Sequence, residues 1–160
     1  MTDVLDLVIR GGTVVTTDGT VRCDVGIRDG VITDLGASLG PAREVLDAVG
    51  RLVLPGGVDA HCHIDQVSST GLVTADDFHS GGVSAACGGT TTIIPFAAQH
   101  RGQSLVQVVR DYAAKAAPKA FIDYAFHLIV SDPTPTVLHD ELPQLIREGH
   151  PSLKVYLTYD

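Results

Sequence analysis

Apolar positions in the first fifty residues come in short runs cut by glycine and aspartate, which is a β pattern rather than a helical one. Residues 4–9 are apolar apart from one aspartate, and Gly11-Gly12 closes the run. Residues 13–17 are all β-branched, and Asp18-Gly19 after them has the chemistry of a hairpin turn. Residues 21–27 predict a third strand, Asp29-Gly30 a second turn, and residues 31–35 a fourth strand. The pattern predicts a β-meander, a small sheet or half of a sandwich. Pro55-Gly56-Gly57 marks a change of style. Strand-like runs at 58–63, 90–95, 120–130 and 152–159 then alternate with helical spacing at 77–87, 105–116 and 137–148. Asp76 or Asp77 can cap the first helix, and Val106, Val109, Tyr112 and Ala113 form a stripe on the second.

Alternation of this kind predicts a parallel α/β sheet. Residues 55–160 hold four strands, whereas a closed eight-stranded barrel takes about 250 residues. The unit is therefore either a four-stranded doubly wound domain or the first half of a barrel. No internal repeat or low-complexity tract interrupts it.

Composition narrows the function. Hydrophobic residues make up 44% and charged residues 19%, the profile of a globular chain with a core. The net charge is -8 with only 11 Lys and Arg, so nucleic acid and anionic membrane are poor partners. Cys23, Cys62 and Cys87 are odd in number and widely spaced, which fits free thiols in a reducing compartment. Asp3 and Asp6 break the first apolar run, unlike a signal peptide, and no run approaches the ~20 apolar residues of a membrane span. Cytoplasm is the expected compartment.

The sharpest chemical motif is Asp59-Ala60-His61-Cys62-His63. Alternation along a strand puts His61 and His63 on one face and Cys62 on the other. Two imidazoles so placed at the C-terminal end of a strand can share one metal ion, and neutral imidazole is a good zinc ligand. Asp59 lies on the same face and could orient a ligand. The plain alternative is two polar residues at a strand end. Lys154 is the second anomaly, an ammonium between Leu153 and Val155 in a strand. Desolvation and a nearby metal charge would both favour its neutral amine, which can take up carbon dioxide as a metal-bridging carbamate. The alternative is a lysine that snorkels to water. His79, His100, His139 and His150 fall on helices or loops, and His127 lies in a strand, as a core histidine or at the site. Gly88-Gly89 precedes a strand, so it reads as a helix end rather than a phosphate loop. There is no Walker or dinucleotide fingerprint.

Taken together, residues 47–63 resemble the entry signature of cyclic amidohydrolases. Asp76-Asp77-Phe78, Gly88-Gly89-Thr90-Thr91-Thr92-Ile93-Ile94 and Ser152-Leu153-Lys154-Val155, with Tyr159 five residues after the lysine, resemble the hydantoinase and dihydropyrimidinase branch. The resemblance implies an α/β fold, the first half of a (β/α)8 TIM-type barrel (residues 55–160), preceded by part of a small β-sandwich (residues 1–54). It implies two zinc ions, with His61 and His63 on the more buried one and Lys154, carboxylated, bridging both. Tyr159 would bind substrate and the developing oxyanion, and Asp59 would support the ligands. A metal-bridging hydroxide would open the ring of a hydantoin, dihydropyrimidine or other small cyclic amide or imide. The remaining ligands and the general base would lie beyond residue 160, so these residues alone would be an inactive part of a homotetrameric hydrolase. Allantoinase, dihydroorotase and a non-catalytic dihydropyrimidinase-related protein are the alternatives. Residues 64–71 depart from the Pro-Phe loop common after this histidine pair.

Overall fold

The computed structural model describes residues 4–68 and 70–157. They divide into two compact units, Met1–Pro55 and Gly56–Asp160.

The first unit is a five-stranded sheet of β1 (Leu5–Thr16), β2 (Gly19–Arg28), β3 (Val31–Gly36), β4 (Ala42–Asp47) and β5 (Leu52–Val53). The order is β3-β2-β1-β4, with β5 also on β1. Both expected turns are present, and Asp29 and Gly30 have φ of 50° and 74° as a tight hairpin demands. Two expectations need correction. Gly11-Gly12 does not end a strand, because β1 continues through it with a shift of register between Ile9 and Gly12. Gly11 takes φ 68° there, and its N–H donates to the Asp24 carboxylate at 2.8 Å. The sheet is also not a meander throughout, since β4 and β5 pair parallel to β1. A parallel neighbour needs a long crossover, and the β2–β3 hairpin supplies it here in place of a helix. Asp24 holds that return in place by accepting the Leu39 N–H at 3.0 Å. These two backbone donors, with Arg10 alongside, hold its buried carboxyl below the ordinary value.

The second unit contains β6 (Gly57–Cys62), α1 (Phe78–Cys87), β7 (Thr90–Ala98), α2 (Leu105–Ala116), β8 (Asp123–Tyr124), β9 (His127–Ile129), α3 (Leu142–Arg147) and β10 (Leu153–Lys154). Among the described residues every pairing between these strands is parallel, and they lie side by side in chain order, β6-β7-β9-β10, without reversal. The long strand expected at 120–130 is broken, because β7 pairs with β8 through Thr92 and Ile93 but with β9 through Phe96 to Ala98. The helix expected at 137–148 opens with a π-helical turn, Val137–Glu141, whose last bond runs from Leu142 N–H to the Val137 carbonyl. Pro143 follows directly and has no N–H for an ordinary helical bond. Of the strand expected at 152–159, the described part ends at residue 157 and is regular over Leu153–Lys154.

Asp77 caps α1, accepting from His79 and Ser80 N–H, while Ser80 Oγ accepts the Asp77 N–H. The buried stripe of α2 is Leu105, Val108, Val109, Tyr112 and Ala116, so Val106 and Ala113 sit at its margin rather than its centre. This stripe joins Phe78, Val137 and Leu145 from the other helical segments against Ile93, Ala97, Leu128 and Val130 of the strands. Each such large side chain contributes about 1.5–3 kcal/mol by burial. The helices thus cover one face of the sheet. The other face carries a smaller cluster of Phe96, Ala98 and Ile129. The outer strands, β6 and β10, are the open edges. No helix among the described residues is long and apolar enough to cross a membrane.

Candidate metal centre

An irregularity in β6 prepares the site. Against β7, Asp59 pairs with Ile93 but Cys62 with Pro95, so β6 carries one extra residue around Ala60 and His61. Bulges of this type re-aim side chains near functional sites. The extra residue turns Asp59 to the helix-side face that Cys62 and Ile93 share, not to the face of the two rings that simple alternation predicts, and its Oδ1 accepts the backbone N–H of His61 at 3.0 Å. The Ala60 carbonyl is taken up by His127 Nε2 at 2.8 Å, reaching across β7 from β9. His127 Nδ1 lies 2.5 Å from Ser152 Oγ. A carbonyl can only accept, so Nε2 carries the proton and a neutral ring accepts from Ser152 through Nδ1. His127 thereby ties three strand segments together and has no nitrogen left for a ligand.

The other ring contacts converge on Phe96. Its centroid lies 4.8 Å from that of His61, 5.0 Å from that of His63 and 5.2 Å from that of His127. Lys154 Nζ lies 4.2 Å from the same centroid and 5.5 Å from that of Tyr156. His61 and His63 are themselves 5.6 Å apart, centroid to centroid. The two histidines and the lysine singled out from the sequence therefore share one face of the sheet, around one aromatic ring. Lys154 is half-buried and rests on aromatic faces, and no ion pair with it is found among the described residues. Tyr159 lies outside the described residues.

Cys62 takes the opposite face. It packs against the helix-side core, and its thiol is pushed up to about 11 by burial first and by the Asp59 charge second. A thiol held protonated on the far face is no partner for the two imidazoles. His63 Nδ1 is 2.6 Å from Gln66 Oε1. The amide oxygen accepts, so Nδ1 bears the proton and the Nε2 lone pair is free for a cation. This partner is the kind of support that ligating histidines use, and nothing in the HxH motif itself points to it. Phe96 was legible only by parity, an aromatic two positions before Ala98 on the face opposite Ala97.

Beside these residues, at the C-terminal ends of the strands, is an open cleft of about 470 Å³ lined by Gln66, Gln99, His100, Arg101, Ser131 and Tyr156 among others. Among the described residues no group of three or more His, Cys, Asp or Glu side chains could hold a metal ion. The donor set fits a cation in its chemistry: two imidazoles, His63 with its Nδ1 already engaged by Gln66, and a lysine that would become an oxygen donor if carboxylated.

Similarity to known proteins extends along nearly the whole chain. The family model of the urease alpha-subunit, N-terminal domain, matches residues 1–59. The D-hydantoinase of Ralstonia pickettii is 48% identical over 155 residues, which cover 97% of this chain and 34% of that protein. A solved D-hydantoinase structure superposes with a TM-score of 0.91 at 48% identity, over 97% of this chain and 34% of that one. The dihydropyrimidinase from Brevibacillus agri NCHU1002 superposes with a TM-score of 0.89 at 43% identity, over 96% and 33%. The chain spans about a third of the length of the curated relatives it matches. Along nearly its whole length, the chain is similar to about a third of the length of hydantoinases and dihydropyrimidinases, of the cyclic amidohydrolases.

Proposed function

We propose that these residues form the N-terminal part of a metal-dependent cyclic-amide hydrolase acting on hydantoins or dihydropyrimidines. The observation that carries this reading is the gathering of His61, His63 and Lys154 around Phe96 beside an open cleft. Residues 55–160 form an arc of a (β/α) barrel, supported by parallel strands in unreversed order with helices on one face. A doubly wound sheet would reverse direction and carry helices on both faces. Residues 1–54 form part of a β-sandwich.

His61 and His63 would hold one of two zinc ions, and the Gln66 contact at Nδ1 would leave Nε2 of His63 for it. Lys154 would help to hold the ions once its amine has added to carbon dioxide, an N–C bond forming as an amine proton leaves, because the carbamate has oxygen donors where the lysine has none. When bound, the ions lower the pKa of water towards neutrality and polarise the amide carbonyl. Phe96 keeps the two rings and the end of the Lys154 side chain together by packing. The Tyr159 hydroxyl donates to the oxygen on which negative charge develops. Asp59 supports His61 through its backbone. Hydrolysis adds water across the ring C–N bond, giving a carboxylate and an N–H on the leaving nitrogen. The working protein is a cytoplasmic homotetramer.

Ring opening of hydantoin and dihydrouracil by the complete protein, followed in ultraviolet absorbance, tests the reading. The expected result is activity that is lost on chelation, restored by zinc, and absent in His61→Ala and His63→Ala. Full activity in those variants would contradict it.

A further inference from the structure

The segment after His63 is held by a lysine clamp that the metal reading leaves unused. Asp65 is a non-glycine residue with φ 51°, a strained setting for a side-chain-bearing residue. Its surroundings hold it there. Its N–H donates to the Asp76 carbonyl at 2.9 Å. Its own carbonyl accepts from Lys115 Nζ at 2.9 Å, and its carboxylate accepts from Lys119 Nζ at 3.0 Å. Lys119 Nζ also lies 3.1 Å from Asp77, the cap of α1. Both lysines come from the last part of α2 and the turn beyond it, some fifty residues away in sequence. Just before Asp65, Ile64 is buried in the main core, where its Cδ1 would stand 2.8 Å from a Cβ on Gly81.

The left-handed turn at Asp65 sends the chain back, so that Gln66 faces the ring of His63 three residues earlier. Gln66 is anchored in turn through its N–H to Thr74 Oγ1 at 3.1 Å. We propose that Asp65, gripped by Lys115 and Lys119, is a positioning residue: it sets the orientation and tautomer of His63 through Gln66. This rests on the metal-binding reading only for its consequence, which is that Nε2 is presented to the cation. The clamp touches no reacting atom and acts entirely through the backbone turn.

The test uses the complete protein with Asp65→Gly, Lys119→Met and Lys119→Arg. Glycine accepts the backbone angle but has no carboxylate for the lysines, so it separates the clamp from the turn. Two readouts are taken. In metal-free protein labelled with ¹⁵N-histidine, the His63 ring nitrogens report the tautomer. Chelator competition reports zinc affinity. Asp65→Gly and Lys119→Met are expected to mix the His63 tautomers and to weaken zinc binding about tenfold. Lys119→Arg is expected to restore both. Unchanged His63 signals in both disruptive variants would overturn the proposal. If His63→Ala leaves zinc affinity untouched, the metal reading fails, and the tautomer readout still decides the clamp. Should Asp65→Gly not fold, Lys119→Met against Lys119→Arg gives the same decision.

Discussion

Phe96→Leu in the complete protein is the most informative single change. Phe96 is 4% exposed, and three imidazoles and one ammonium lie within about 5 Å of its centroid. Leucine keeps the residue apolar and of similar reach, so most of the burial survives. What disappears is the ring. In metal-free protein, where Lys154 is not carboxylated, its half-buried cation–π contact is worth about 1 kcal/mol, so the variant is compared without metal. Ring–ring contacts contribute about 0.5–1.5 kcal/mol each at best, less where a pair is poorly aligned. The expected loss is about 2–3 kcal/mol, below the about 3–5 kcal/mol expected for Phe96→Ala, where a cavity also opens. Equilibrium urea unfolding measures the loss. Imidazole proton shifts of His61, His63 and His127 measure the ring's disappearance from their surroundings. A loss below about 0.5 kcal/mol, the range of an ordinary surface change, together with unmoved imidazole shifts, would refute the view of Phe96 as the hub of the site.

Other expectations follow from single contacts. Gly56→Ala drives a Cβ into the Thr91 side chain, so it should destabilise by about 1–3 kcal/mol, and Thr91→Ala in the same chain should recover only part of that in thermal melts, because the Cβ of residue 91 would still stand 2.7 Å away. Hydrogen bonds from the Ser80 backbone, then from Lys119, lower the Asp77 carboxyl to about 2. Its contribution to stability is thus complete above the ordinary value of 3.8 and is lost as pH falls towards about 2, and Asp77→Asn should remove that part of the acid unfolding curve. Cys87 is exposed, whereas the Cys62 thiol is pushed up to about 11, so iodoacetamide near neutral pH should label Cys87 well before Cys62, as read by peptide mass spectrometry. Equal labelling rates would show that Cys62 is not held on the buried face.

Much of the site was legible because its signals are local. The His61/His63 pair and the opposite facing of Cys62 follow from strand alternation, and that ordering survives the bulge in β6. The first cap and α2 were legible for the same reason, since a capping aspartate and a 3.6-residue stripe act over a few positions. The stripe's phase was not, because Leu105 at the first turn packs as deeply as any residue of the helix. Long-range effects decide the rest. Strands β4 and β5 join β1 in parallel across a hairpin crossover, which no local pattern announces. The break between β8 and β9 arises because β7 serves both. Gln66, Ser152, Lys115 and Lys119 matter only through partners that folding brings to them.

The central claim is that two imidazoles and a carboxylated lysine from separate strands bind divalent cations together. Metal analysis of the complete protein, paired with ¹³C NMR after exposure to ¹³C-bicarbonate, tests it most directly. The expected result is two zinc ions per chain and a carbamate carbon signal, both lost in Lys154→Ala. Full zinc occupancy in Lys154→Ala, or a zinc-loaded protein without any carbamate signal, would contradict it.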